Sequence, residues 1–191
     1  CEALAEQLSQ RVGLDVLSEA QFIGIPRGGL IVLGMLSYVL DLDHAQIGNS
    51  ISQGDLLQDD PVIVIDDCAI TGSRIRRFLN TGTDREVIFG TLYSHPNLRS
   101  AVEEESPHVT TFVSGRDLHD RGPDELGDEY STWQARWHER HPDRRYWIGH
   151  TEHLCFPWGE IDTVQWDPES EEIESGFRFV PPRHCLQNRH G

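Results

Sequence analysis

The apolar positions of this chain change period as it is read from the N-terminus. Leu4, Leu8 and Val12 recur at i, i+4 spacing, which predicts an amphipathic helix over residues 2–12 lying on a sheet. Residues 22–25 form a short apolar run that breaks at Pro26-Arg27-Gly28-Gly29, and the apolar pattern resumes over 30–40, the order of strand, tight loop and helix. Pro61 then opens Val62-Ile63-Val64-Ile65, a run without polar alternation, as in a strand buried on both faces of a parallel sheet. Asp66 and Asp67 stand at its carboxyl end. Ile75, Phe78 and Leu79, behind Thr71-Gly72-Ser73, predict a second helix over about 74–80, and further strands are expected over 86–93 and 109–114. This alternation predicts an α/β fold: a mostly parallel sheet flanked by helices, with ligands bound beyond the carboxyl ends of the strands.

From about Asp117 the chain turns polar and rich in Trp and His, with Trp133, Trp137, Trp147, Trp158 and Trp166. The expected organisation is an α/β core over 1–116 and, over 117–191, a C-terminal cap completing the acceptor side of the same domain. Trp133 and Trp137, at i, i+4, are expected on the buried face of a helix. The ten His residues follow no metal-binding spacing and read mostly as surface groups.

Charge narrows the function. The 191 residues carry 32 acidic and 16 basic side chains, a formal net charge of −16, and all the basic ones are Arg. Such a chain repels phosphate backbones and anionic lipid, so neither nucleic acid nor a membrane is an expected partner. The longest apolar run, 30–40, is too short to span a bilayer, and a cytoplasmic location is the expectation. The four Cys residues, at 1, 68, 155 and 185, form no CxxC pair, and Cys68 and Cys155 read as small buried hydrophobes.

The chemistry concentrates where the apolar strand meets the acid pair. A helix start with a Gly-containing loop and hydroxyl side chains presents donors to a phosphate, while two adjacent carboxylates accept hydrogen bonds from vicinal hydroxyls or hold Mg²⁺. A phosphorylated sugar satisfies both halves. The segment VIVIDDCAITGS, residues 62–73, resembles the phosphoribosyl pyrophosphate motif of type I phosphoribosyltransferases. FIGIPRGGL, residues 22–30, resembles that family's pyrophosphate loop, and FPWG, residues 156–159, is similar to a signature near the acceptor pocket of its purine-type members.

The resemblance implies an enzyme that transfers phosphoribose from Mg-bound phosphoribosyl pyrophosphate to a nitrogen acceptor of small-molecule type. Asp66 and Asp67 would hold the ribose hydroxyls and the metal. Ala69, Ile70, Thr71, Gly72, Ser73 and Arg74 would cradle the 5′-phosphate, Arg27, Gly28 and Gly29 would face the pyrophosphate, and His153, Phe156 and Trp158 would meet the acceptor. With Asp66 and Asp67, Arg27 makes up the expected catalytic set; the resemblance also implies a homodimer. His153 and Glu160 are candidates for the group that takes the acceptor's proton.

The chain departs from the family pattern at several positions. Arg74 stands where a phosphate-binding hydroxyl is usual, and either meets the phosphate or points away as an ordinary helix residue. Ile70 replaces an acid found in several purine enzymes, residues 44–60 contain no Lys or Arg, and Gly159 stands where an acid follows FPW. These departures keep open a second class, a non-catalytic binder of the activated sugar or of a nucleotide. A receiver-domain reading places its acid pair on a first strand, unlike this one. A purely structural reading leaves two adjacent Asp buried without a ligand, which is costly.

Overall fold

The computed structural model describes residues 1–26, 28–48, 60–80, 85–119, 122–140, 142, 156, 164–167 and 172–175. The chain divides into two compact units, Cys1–Gly149 and His150–Gly191. Within the first, α1 (Glu2–Arg11) and α2 (Leu14–Glu19) lead into β1 (Gln21–Gly24), α3 (Gly28–Val39), a single 3-10 turn (His44–Gln46) and β2 (Ile47–Gly48). Then come β3 (Val62–Ala69), α4 (Ser73–Leu79), β4 (Val87–Ser94), α5 (Pro96–Glu105), β5 (Val109–Asp117), α6 (Pro123–Leu126) and α7 (Asp128–Arg140). The second unit contains an antiparallel pair, β6 (Val164–Asp167) with β7 (Glu172–Ser175).

The sheet of the first unit has five strands in the order β2-β1-β3-β4-β5, and every pairing is parallel. The chain leaves β1 for β2 on one side, then crosses back so that β3 pairs with the other edge of β1, Gln21 against Val62 through Gly24 against Ile65. Strand order therefore reverses between β1 and β3, and the loops that follow those two strands part to opposite faces of the sheet. Such a reversal opens a crevice at the carboxyl edge, the place where open α/β sheets bind ligands.

Both faces are covered. On one, α1 inserts Leu4 and Leu8, which are fully buried, and packs on β4, β5 and α3, while α3 lies on β1 and β3. Gly90 of β4 makes room there: a Cβ at that position would meet the Ile65 methyl at 2.8 Å and Leu4 at 3.6 Å. Each buried Leu contributes about 1.5–3 kcal/mol by leaving water. On the other face Phe78 of α4 meets Phe89 of β4 edge to face at 5.8 Å, and Phe89 in turn touches Phe112 of β5 at 5.9 Å. All eight residues of β3 are buried, as its unbroken apolar run predicts for a central strand.

The structure differs from the sequence pattern in four respects. First, β3 does not end before the acids. It runs on to Ala69, because β4 continues to pair with it as far as Ala69 against Ser94, so Asp66 and Asp67 lie inside the ladder. Second, α5 was hidden by its surroundings, although Pro96 at its first turn and Leu98, Ala101 and Val102 at i, i+3, i+4 are its signal. Third, α7 has no buried residue, so Trp133 and Trp137 share its face but are only half-buried. Fourth, His95 is not a surface group; it is almost wholly buried between β4 and α5.

Candidate functional site

Two loops meet at the reversal between β1 and β3. The first follows β1, where the Ile25 amide donates to the Ile65 carbonyl at 2.8 Å, carrying the chain past the strand end before α3 begins at Gly28. Gly29 lies hard against β3: a Cβ there would come within 2.3 Å of the Ile65 oxygen and 3.1 Å of the Asp66 Cα. Only glycine permits that approach. The approach seats the amino end of α3, whose first amides have no partner within the helix, beside the acid pair. Arg27 lies outside the described residues.

The second loop follows β3. Gly72 adopts the left-handed region, φ 69°, and starts α4; a Cβ on it would strike the Arg76 guanidinium at 2.7 Å and Leu98 at 2.9 Å. The Thr71 and Ser73 hydroxyls lie 2.9 Å apart, and Thr71 Oγ1 accepts from the Ser73 amide at 3.3 Å. Arg76 donates to the Thr71 carbonyl at 2.9 Å and pairs with Glu105 of α5 at 2.8 Å, which ties this loop to the neighbouring helix. Ala69 and Ile70 are buried beneath it.

Between the loops lie the two carboxylates, Asp66 at 1% and Asp67 at 3% exposure. Each accepts from the next residue's amide, Asp67 N to Asp66 Oδ1 at 2.9 Å and Cys68 N to Asp67 Oδ1 at 2.7 Å. Arg74 turns toward the acid pair. Its guanidinium reaches back over the strand end to Asp66 at 3.3 Å and Asp67 at 3.2 Å, spanning the pair. One guanidinium does not satisfy two buried carboxylates: Asp66 Oδ2 is buried with no hydrogen-bond partner among the described residues. Burial raises the Asp66 carboxyl to about 8, Arg74 opposing the shift and Asp67 adding to it. Burial also pushes the Cys68 thiol well above its ordinary range, with the Asp67 charge adding to it, so Cys68 is an inert hydrophobe and not a nucleophile.

Three further polar residues at the carboxyl end of β4 escaped the sequence reading. Thr91 is the register partner of Asp66, and Ser94 faces Ala69 on one side and Asp117 on the other. The Thr91 hydroxyl and both ring nitrogens of His95 are buried without a partner among the described residues. Desolvation, reinforced by the nearby Arg99 charge, lowers the His95 imidazole to about 4, so it is neutral at pH 7. Arg99 bonds the Ser94 hydroxyl at 2.9 Å and pairs with Asp117 at 2.6 Å. The pattern that could have revealed these residues is topological: whatever ends the strand paired with β3 must line the same edge.

Of the expected acceptor residues, Phe156 lies in the second unit and is half-buried, while His153 and Trp158, like Glu160, lie outside the described residues. The described residues contain no group of three or more His, Cys, Asp or Glu arranged to hold a metal, and no helix among them is long and apolar enough to cross a membrane.

No family model and no curated protein matches the chain. Among solved structures it is similar to the xanthine-guanine-hypoxanthine phosphoribosyltransferase of Helicobacter pylori, at 18% identity and TM-score 0.41, over 59% of this chain and 78% of that one. It is also similar to the orotate phosphoribosyltransferase of Aeropyrum pernix, at 23% identity and TM-score 0.40, over 60% of this chain and 68% of that one. A third likeness is to the purine phosphoribosyltransferase of Pyrococcus horikoshii Ot3, at 24% identity and TM-score 0.35, over 59% of this chain and 76% of that one.

Proposed function

We propose that the chain is a phosphoribosyltransferase that takes phosphoribosyl pyrophosphate as donor and a nitrogen heterocycle as acceptor. The observation that carries this reading is the convergence at the β1/β3 reversal. There the Gly28-Gly29 start of α3, the Thr71-Gly72-Ser73 loop and a carboxylate pair, the parts that the motif resemblance assigns to pyrophosphate, phosphate and ribose, gather at the carboxyl ends of neighbouring strands. In the reaction the bond from ribose C1 to the pyrophosphate oxygen breaks as a bond from C1 to the acceptor nitrogen forms, and that nitrogen loses its proton. Charge leaves with pyrophosphate, so the protein's work is to hold the sugar and neutralise the leaving group.

Each residue then has a task. Asp66 and Asp67 accept the two vicinal ribose hydroxyls, the Asp66 oxygen that lacks a partner being the vacant acceptor. The loop amides and the Thr71 and Ser73 hydroxyls receive the 5′-phosphate; α4, only seven residues long, adds little dipole of its own. The α3 amides at Gly28 and Gly29, with Arg27 before them, face the pyrophosphate. Asp66 and Asp67 are the residues that would hold Mg²⁺, which uses one or two carboxylates and completes its shell from water and substrate phosphates. Bound there, the metal would supply charge neutralisation of the leaving group. His153, Phe156 and Trp158 stay assigned to the acceptor side on the resemblance alone.

A second reading, a binder that does not turn over, is favoured by one observation: Arg74 already occupies the acid pair as a resident cation. Calorimetric titration of phosphoribosyl pyrophosphate with Mg²⁺, followed by assay of pyrophosphate across purine, pyrimidine and small amine acceptors, separates the readings. Binding with release in the presence of one acceptor is the expected result. Binding without release for every acceptor supports the binder, and no binding rejects the site.

A further inference from the structure

The acid pair is closed over. Asp66 and Asp67 are 1% and 3% exposed, whereas the Arg74 side chain that spans them is 27% exposed, so solvent meets the guanidinium and not the carboxylates. A ligand whose hydroxyls donate to these carboxylates has to displace it.

The hold of Arg74 on the pair is loose. Its contacts, at 3.3 and 3.2 Å, are long for a charge-assisted hydrogen bond, which settles at ~2.7–2.9 Å. The pairs Arg76 with Glu105, at 2.8 Å, and Arg99 with Asp117, at 2.6 Å, are close in the same unit. The pair is also left incomplete. Asp66 Oδ2 has no partner among the described residues, and neither has the hydroxyl of Thr91, which is fully buried. Thr91 is the register partner of Asp66 and shares its face of the sheet, so an orphaned acceptor and an orphaned hydroxyl lie side by side. Buried polar groups without partners are costly, and these two complement a ligand that carries hydroxyls. Arg74 covers the acids without satisfying what lies beside them.

The same arm also serves the phosphate loop. Arg74 is the second residue of α4, next to Ser73, whose hydroxyl lies 2.9 Å from that of Thr71. Turning the side chain about its own torsions carries the guanidinium from the strand end toward this loop with no change of backbone. A phosphate there offers the planar fork a bidentate contact in place of one oxygen on each of two carboxylates. Resting on the reading that the acids hold ribose hydroxyls and the loop a phosphate, we propose that Arg74 is the gate of the donor site. It bars the acid pair to free divalent cations and to sugars without a phosphate, and yields the pair when a ligand's phosphate takes the guanidinium. An anion at the loop and a cation at the acids then favour one position of Arg74, so each tightens the other.

Mn²⁺ titration of the full chain, followed by the electron paramagnetic resonance signal of the free ion, tests the gate without turnover. The protein alone should hold Mn²⁺ weakly; ribose 5-phosphate should tighten it on the order of 10-fold, and ribose should not. Arg74→Gln should by itself tighten Mn²⁺ on the order of 10-fold and shrink the effect of ribose 5-phosphate. Arg77→Gln, which removes the same charge from an exposed position of the same helix, should change neither. Should Arg74→Gln unfold by circular dichroism, Arg74→Lys, which keeps the charge but lacks the fork, should give a smaller gain of the same sign. Mn²⁺ binding indifferent to Arg74, with ribose 5-phosphate still bound in calorimetry and lost in Asp67→Asn, overturns the gate and leaves the donor reading standing. Ribose 5-phosphate that binds neither the native chain nor Arg74→Gln overturns both.

Discussion

Asp66 occupies a strained electrostatic position: it is inside a central strand, beside a second carboxylate, with half a guanidinium for compensation. With its carboxyl raised from 3.8 to about 8, the folded chain holds a proton there that the unfolded chain has lost. Stability from this group is therefore complete below pH ~4 and declines as pH rises toward 8. Asn mimics the protonated form, so Asp66→Asn should stabilise the empty protein by about 1–3 kcal/mol at pH 8, with little change at pH 4, measured by urea unfolding. A cation or ligand that requires the ionised carboxylate should expel that proton. Titration with Mg²⁺ and phosphoribosyl pyrophosphate at pH 7, in buffers of differing ionisation enthalpy, should show proton release that Asp66→Asn abolishes. Asp67→Asn should lower pyrophosphate formation by on the order of 10²-fold or more and weaken donor binding; unchanged binding would remove the ribose from this site.

At the level of elements, the loops are held by exclusion as much as by attraction. Gly29→Ala places a methyl into the Ile65 carbonyl, so α3 must retreat from β3; a loss of about 3 kcal/mol in stability is expected on urea unfolding, together with donor binding. The Arg76 bridge is milder. Both partners are 20% exposed, so a double-mutant cycle on Arg76→Gln and Glu105→Gln should give a coupling of about 0.5–1 kcal/mol. Much of this layer was legible in the chain itself. β3 announces itself by four consecutive β-branched residues, and the two Gly-containing loops by their place after strands. What was not legible depended on tertiary neighbours: Arg74 turning back onto the acids, β3 extending because β4 escorts it, and His95 buried at the start of α5. A side chain's destination is set by neighbours that a local pattern does not contain.

For the molecule as a whole, two buried groups shape the response to pH in opposite directions. The His95 imidazole, lowered from 6.5 to about 4, costs stability as pH falls below 6.5, because the unfolded chain takes up a proton that the folded chain refuses. Between pH 4 and 6.5 this rise with pH offsets the fall due to Asp66; from 6.5 to 8 only the Asp66 decline remains. The combined contribution of these two groups to the unfolding free energy should thus be nearly level between pH 4 and 6.5 and then drop. Replacing His95 by Phe should turn the level region into a decline from pH ~4.

The reversal of strand order also means that the two halves of the crevice come from separate stretches of chain. The Gly28-Gly29 turn lies before Gly48 and the acid pair after Asp60, and the β1 to β3 ladder joins them. The site is thus a seam. If the chain is cut between those points, each fragment keeps a complete set of loop residues but no crevice, and ligand binding becomes a report on whether the fragments have found each other. That makes the protein a natural candidate for a split reporter whose signal is the reunion of two strands.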